Sequence, residues 1–306
     1  MRRGLLAVAV SLLVLAGSAG AAGRADDRIL IETRSNLLTI EPTGKGLTVV
    51  FRRGWMDPAW SPDRRSIAAV AGGLMVVDPD GTSRELVARG VILNPSWSPD
   101  GKRIAFSMID NARCNRLRLD KCRQEIYVVS VDGSGLRRLT DGRDADNGHF
   151  APAWSPDGRS IAYSAFEAFG DGRPARLRKQ SRVMVVSAAG GKPRLLLRLP
   201  YNYHADDLGW SRAGGIVFSY MRGSGVYRGN PVVQSKLAVV KPDGSGLRDL
   251  TKFSAGLADD PAWSPDGRRV AFIGRLRGDL APSWFAYVLT PGRKPEKLTG
   301  ARSLDW

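Results

Sequence analysis

The chain has 306 residues, 46 Lys+Arg against 30 Asp+Glu, a formal net charge of +16, and only two His and two Cys. With 43% hydrophobic and 25% charged residues it is composed like a globular protein, neither disordered nor a multi-span membrane protein. The whole histidine supply is His149 and His204, which excludes a histidine-rich metal site and leaves thin support for histidine catalysis.

At the start, Arg2 and Arg3 precede an apolar run through Leu5, Leu6, Val8, Val10 and Leu12 to Leu15, and small residues follow at Ala19, Ala21 and Ala22. This is the pattern of a secretory signal peptide over residues 1–22, cleaved after Ala21 or Ala22. The run is shorter than the roughly 20 apolar residues of a transmembrane anchor, so the mature chain is expected to be exported, periplasmic or extracellular, without a membrane span. Residues 23–306 are expected to form one domain.

Three short strands are predicted next: Ile29-Leu30-Ile31, Leu37 to Ile40, and Leu47 to Phe51 after the turn Thr43-Gly44-Lys45-Gly46. Then Trp-Ser-Pro-Asp recurs at Trp60, Trp97, Trp154 and Trp263. A degenerate copy, Trp210-Ser211-Arg212-Ala213-Gly214, stands between the last two, and the chain stops on Leu304-Asp305-Trp306. Successive tryptophans lie 37 to 57 residues apart, which suits propeller blades of roughly 40 to 50 residues.

Turn chemistry supplies the rest of each unit. Pro presets φ and Gly accepts positive φ in Ser-Pro-Asp-Gly, and an apolar alternation such as Ile104-Ala105-Phe106 follows, so the motif predicts a β-hairpin. A variable stretch leads to a third strand, for example Ile126 to Val129 or Leu237 to Val240. A second turn, Asp132-Gly133-Ser134-Gly135 or Asp243-Gly244-Ser245-Gly246, leads to a fourth, Leu136 to Thr140 or Leu247 to Thr251. Each unit is therefore an antiparallel blade A-B-C-D with its Trp on strand A. The first blade lacks an A strand, and Ala301 to Trp306 is an orphan A strand, so the expected fold is an all-β, six-bladed β-propeller closed by the C-terminal strand.

On these motifs the sequence resembles the TolB-type β-propeller family, whose blades carry a Trp-Ser-Pro-Asp-Gly turn and often end in Leu-Thr. The resemblance runs from about Ile29 to Trp306 and concerns the propeller part only; blade five departs from it at Arg212 and Ala213. It implies a propeller whose repeated residues are structural. A Trp once per blade on the innermost strand reads as inter-blade core rather than a sugar-stacking platform.

Function is expected on the variable connections. The B-to-C stretches at about 108–125, 166–182, 220–236 and 274–285 hold more than half of the excess positive charge. They form a predicted basic rim that includes Arg113, Arg116, Arg118, Arg176, Arg178, Lys179 and Arg228. Cys114 and Cys122 share the first of them, and an oxidising compartment favours a disulfide between them over a metal site. The D-to-A connections carry Asp57, Asn94, His149, His204, Asp207 and Asp260 toward the channel mouth. Asp57, Asn94, Asp207 and Asp260 each fall three residues before a Trp, hence at equivalent places around the axis. Such an oxygen ring would suit a channel-bound cation such as calcium or a ligand's cationic group, and the same residue types also form turns before strands.

No Gly-x-Ser-x-Gly elbow, His-Glu-x-x-His, Walker loop or dinucleotide fingerprint occurs. The expected function is a secreted, monomeric, non-enzymatic binding module for an envelope protein or an anionic cell-wall polymer, with no cofactor and no nucleic-acid partner. The alternative is a propeller enzyme acting on a carbohydrate or lactone through the histidines and nearby carboxylates.

Overall fold

A computed structural model describes residues 27–52, 54–78, 81–109, 124–141, 146–169, 178–201, 203–227, 230–252, 256–276 and 284–306. The chain forms six four-stranded antiparallel sheets. Their inner A strands are, from blade one to blade six, Ser303–Asp305, Met56–Trp60, Val91–Trp97, Asp146–Trp154, Tyr203–Ser211 and Gly256–Trp263. Blade one is closed as expected: Ser303–Asp305 pairs with Ile29–Glu32, placing Leu30 opposite Asp305 and Ile31 opposite Leu304.

The core is divided among the blade junctions, with one buried apolar cluster at each of the six. Alternation along the strands explains this. Ile104, Phe106 and Met108 point from blade three toward blade two, while Ala105 between them points toward blade four. Because both faces of a blade are covered, the second and third strands read as continuous apolar runs. The tryptophans lock the junctions: Nε1 of Trp97 donates to the Ala59 carbonyl and Nε1 of Trp154 to the Ser96 carbonyl, both at 3.1 Å.

Each Ser-Pro-Asp turn satisfies itself. Ser98 Oγ donates to Asp100 Oδ1 at 2.5 Å and accepts from the Arg103 amide at 2.9 Å, while the Lys102 amide donates to the same carboxylate. Blades two, four and six repeat this arrangement. Blade five compensates for its lost Pro and Asp with glycine. A Cβ on Gly214 would lie 2.5 Å from the Trp263 ring, which rests there and donates Nε1 to the Gly215 carbonyl instead of to its strand-A counterpart.

In two blades the variable stretches are longer strands than the sequence suggests. In blade five, Gly215–Tyr227 and Asn230–Val240 stay paired from Ile216↔Val240 to Tyr227↔Asn230, with one register shift between Gly223 and Val226. The glycines in this stretch suggest a loop, yet a bulge accommodates them without ending the ladder. In blade four, Ser160–Phe169 pairs with Arg178–Ser187.

Candidate functional site: the central channel

The six A strands enclose a channel of about 760 Å³, walled by Asp57, Asn94, Asp207, Asp260 and Asp305 and by the tryptophans at its other end. The A strands of blades two to six each contain a register shift before the tryptophan. At this bulge the residue three before Trp takes a left-handed conformation: Asp57 (φ 47°), Asn94 (52°), Ala151 (49°), Asp207 (43°) and Asp260 (50°). Asp and Asn tolerate that region better than most residues, which accounts for their recurrence. A proline follows in four of the five blades, although proline disfavours helical conformations in the residue before it, so the surrounding sheet imposes these bulges.

Side chains at this level lace the inner strands together. Asp57 Oδ2 accepts the Asn94 amide at 3.1 Å, Asp260 Oδ2 accepts the Leu304 amide at 2.7 Å, and Asp305 Oδ2 accepts the Trp60 amide at 2.7 Å. Glu32 Oε2 accepts both the Asp57 amide and the Ser303 hydroxyl. Asn94 Nδ2 donates to Asp207 Oδ1 at 3.2 Å, reaching past blade four, whose equivalent residue is the short Ala151.

Electrostatically the ring is under load. Burial pushes the carboxyls of Asp57 and Asp305 up, and burial with the Asp259 charge nearby pushes Asp206 up to about 7. Asp207 and Asp260 lie well above the usual carboxylate range, through burial first and then the neighbouring aspartates. A protonated carboxyl or a ligand's positive charge relieves such a ring. Among the described residues no three His, Cys, Asp or Glu side chains are grouped as ligands for a metal ion.

The structure thus brings Asp57, Asn94, Asp207 and Asp260 to one level of the channel, and it places both histidines elsewhere. His149 is 3% exposed between blades three and four, its Nδ1 2.7 Å from Glu125 Oε2 and its ring edge-on to Tyr163. His204 stacks on Phe166 at 4.9 Å. Arg113, Cys114, Arg116, Arg118, Cys122, Arg176 and Arg228 lie outside the described residues. Arg178 and Lys179 open a blade-four strand opposite Phe169 and Ala168. The sequence reading missed Ala151 and Ser303, which complete the set of positions three before Trp, because it searched for oxygen-bearing acids and amides rather than for the spacing itself. It also missed Glu32 and Asp305, which lie outside the repeated motif.

Residues 45–148 match the family described as the lipoprotein LpqB beta-propeller domain. A TolB homolog from Chlorobium luteolum is 28% identical over 170 residues, 56% of this chain and 33% of that protein, so the chain spans about a third of the curated relative's length. Among solved structures, a putative TolB from Agrobacterium tumefaciens superposes with a TM-score of 0.63 at 19% identity, covering 90% of each chain. An oligogalacturonate lyase in complex with manganese superposes with a TM-score of 0.53 at 13% identity, covering 90% of this chain and 73% of that one. At these identities the structural likenesses establish the fold alone.

Proposed function

We propose that this chain, a member of the TolB-like β-propeller family, is an exported binding module that holds an acidic envelope partner on its basic loop face and a cationic group of that partner at the channel mouth. The observation that carries this reading is the fate of the chemically active residues. Asp57, Asn94, Asp207 and Asp260 share one level of an open channel, while His149 and His204 are committed to packing between blades. A ring of carboxylates held above their normal range favours an incoming positive charge over an anion. The basic stretches outside it attract acidic surfaces at long range. An envelope protein offers both signs of charge; an anionic cell-wall polymer offers only the second.

The test is retention of the purified mature protein on isolated envelopes, at low salt and at about 1 M salt, where the Debye length falls to about 3 Å. Retention is expected to be lost at high salt and in a variant with Arg113, Arg116 and Arg118 changed to serine. Envelopes stripped of protein separate the two partners: binding that survives stripping assigns the polymer. Retention indifferent to salt and to the arginine changes overturns the basic face.

A further inference from the structure

The Ser-Pro-Asp turns carry a second pattern, one that the channel does not use. Five residues after the serine stands a side chain that in two of the turns covers the tryptophan of the next blade. In blades three and six that residue is arginine. The Arg103 guanidinium lies 4.7 Å from the centre of the Trp154 ring and 3.7 Å from Asp100 Oδ2. Arg269 lies 4.6 Å from the Trp306 ring, and its guanidinium pairs with Asp27 Oδ2 at 3.0 Å. Under these cations the two indoles are 4% and 6% exposed.

In blade two the same position is Ser66, and in blade four it is Ser160. The tryptophans that follow, Trp97 and Trp210, are only partly buried, and among the described residues neither has a cation over its ring. The two other inner-strand tryptophans are otherwise provided for: Arg64 covers Trp60 and Gly214 underlies Trp263. At the junction of blades two and three the shorter side chain leaves a groove of about 430 Å³, whose walls include Asp63, Ser66, Arg84 and Trp97. Ser66 Oγ is turned onto Asp78, which also holds Arg84 at 2.5 Å, and Arg84 Nε donates to the Val131 carbonyl. Both side chains are engaged in these bonds, and among the described residues Arg84 does not cover the indole. Asp63 uses Oδ1 for its own turn, accepting from the Ser61 hydroxyl and the Arg65 amide. Its Oδ2 has no hydrogen bond among the described residues.

We propose that this groove binds an arginine side chain of a partner protein, with the guanidinium stacked on Trp97 and paired with Asp63, as Arg103 is stacked on Trp154 and paired with Asp100. The protein supplies the full template for this ligand at Trp154, repeats the stacked arginine at Trp306, and leaves the cation out at Trp97. A planar guanidinium satisfies both the ring face and the carboxylate at once, which a lysine ammonium does less well. The groove lies among the Ser-Pro-Asp turns and contains none of the arginines of the reading above, so the two are tested separately.

The experiment is a titration of the mature protein with Nα-acetyl-arginine methylamide, followed through the indole N–H signals in NMR, with the citrulline counterpart as a neutral isostere. A saturable shift of the Trp97 signal is expected, with Trp154 and Trp306 unmoved and citrulline about tenfold weaker or worse. Ser66→Arg supplies the cation from within and abolishes the shift; Asp63→Asn weakens binding by about tenfold. Unchanged Trp154 and Trp306 signals in both variants report an intact fold. Equal binding of citrulline, or a Trp97 response that persists in Ser66→Arg, overturns the proposal.

Discussion

In blades two and six the two ends of the inner strand carry the same residue type in opposite electrostatic states. At the turn end, Asp63, Asp100, Asp157 and Asp266 accept a serine hydroxyl and a backbone amide near solvent, and those hydrogen bonds hold their carboxyls below the ordinary range. At the bulge end, Asp57, Asp207 and Asp260 are raised, because burial removes water that one or two amides do not replace and because the ring crowds like charges. A few residues along one strand therefore separate an aspartate that favours its charge from one that resists it. The turn end is a closed structural unit; the bulge end stores an unmet preference that a ligand can satisfy.

Removing charge from the bulge end is the largest expected effect. Asp206 stands at about 7 in the folded protein against about 4 for a free aspartate, so the native state binds the extra proton and stability falls as pH rises between these values. Asp206→Asn removes that loss. Its unfolding free energy should match wild type near pH 4 and exceed it by about 2–4 kcal/mol at pH 8, read from denaturant melts across the range. A difference between variant and wild type that does not grow between pH 4 and 8 would show that Asp206 is not under this load.

Much of this contrast was legible in the sequence. Trp-Ser-Pro-Asp at Trp60, Trp97, Trp154 and Trp263 specifies the turn and the strand on each side, because turn chemistry is local, and Trp210 and Trp306 at the same spacing complete the blade count. The spacing of Asp57, Asn94, Asp207 and Asp260 also placed those residues together. Their environment was not legible. His149 and His204 sit in similar connections, but inter-blade packing, a tertiary outcome, decides that they turn away from the channel. Nor did the glycines after Tyr220 reveal that strand pairing continues through them, since a bulged ladder and a flexible loop share that composition.

At the turn end the expected change is smaller and has the opposite sign. Ser155 is 4% exposed; its hydroxyl donates to Asp157 at 2.6 Å and accepts the Ser160 amide at 2.9 Å. Ser155→Ala leaves that amide without its acceptor and Asp157 Oδ1 with the Arg159 amide alone, a loss of about 1–3 kcal/mol at neutral pH in a denaturant melt. No loss would place the stability of the turn in its backbone alone.

The smallest effect concerns the one complete turn that breaks its own rule. Blade two reads Ser61-Pro62-Asp63-Arg64, and Arg64 takes the place of Gly101, Gly158 and Gly267 with φ at 62°. A side chain there costs on the order of 1 kcal/mol against glycine. Its return is contact: the guanidinium covers the Trp60 ring at 4.9 Å and donates to the Arg28 carbonyl across the closing blade. Arg64→Gly relaxes the backbone and removes both contacts, so the two changes nearly cancel and the net shift should stay within about 1 kcal/mol. The Trp60 fluorescence should nevertheless move toward that of a solvated indole. A large loss of stability would mean that the arginine, and not the turn geometry, holds blades one and two together at this end.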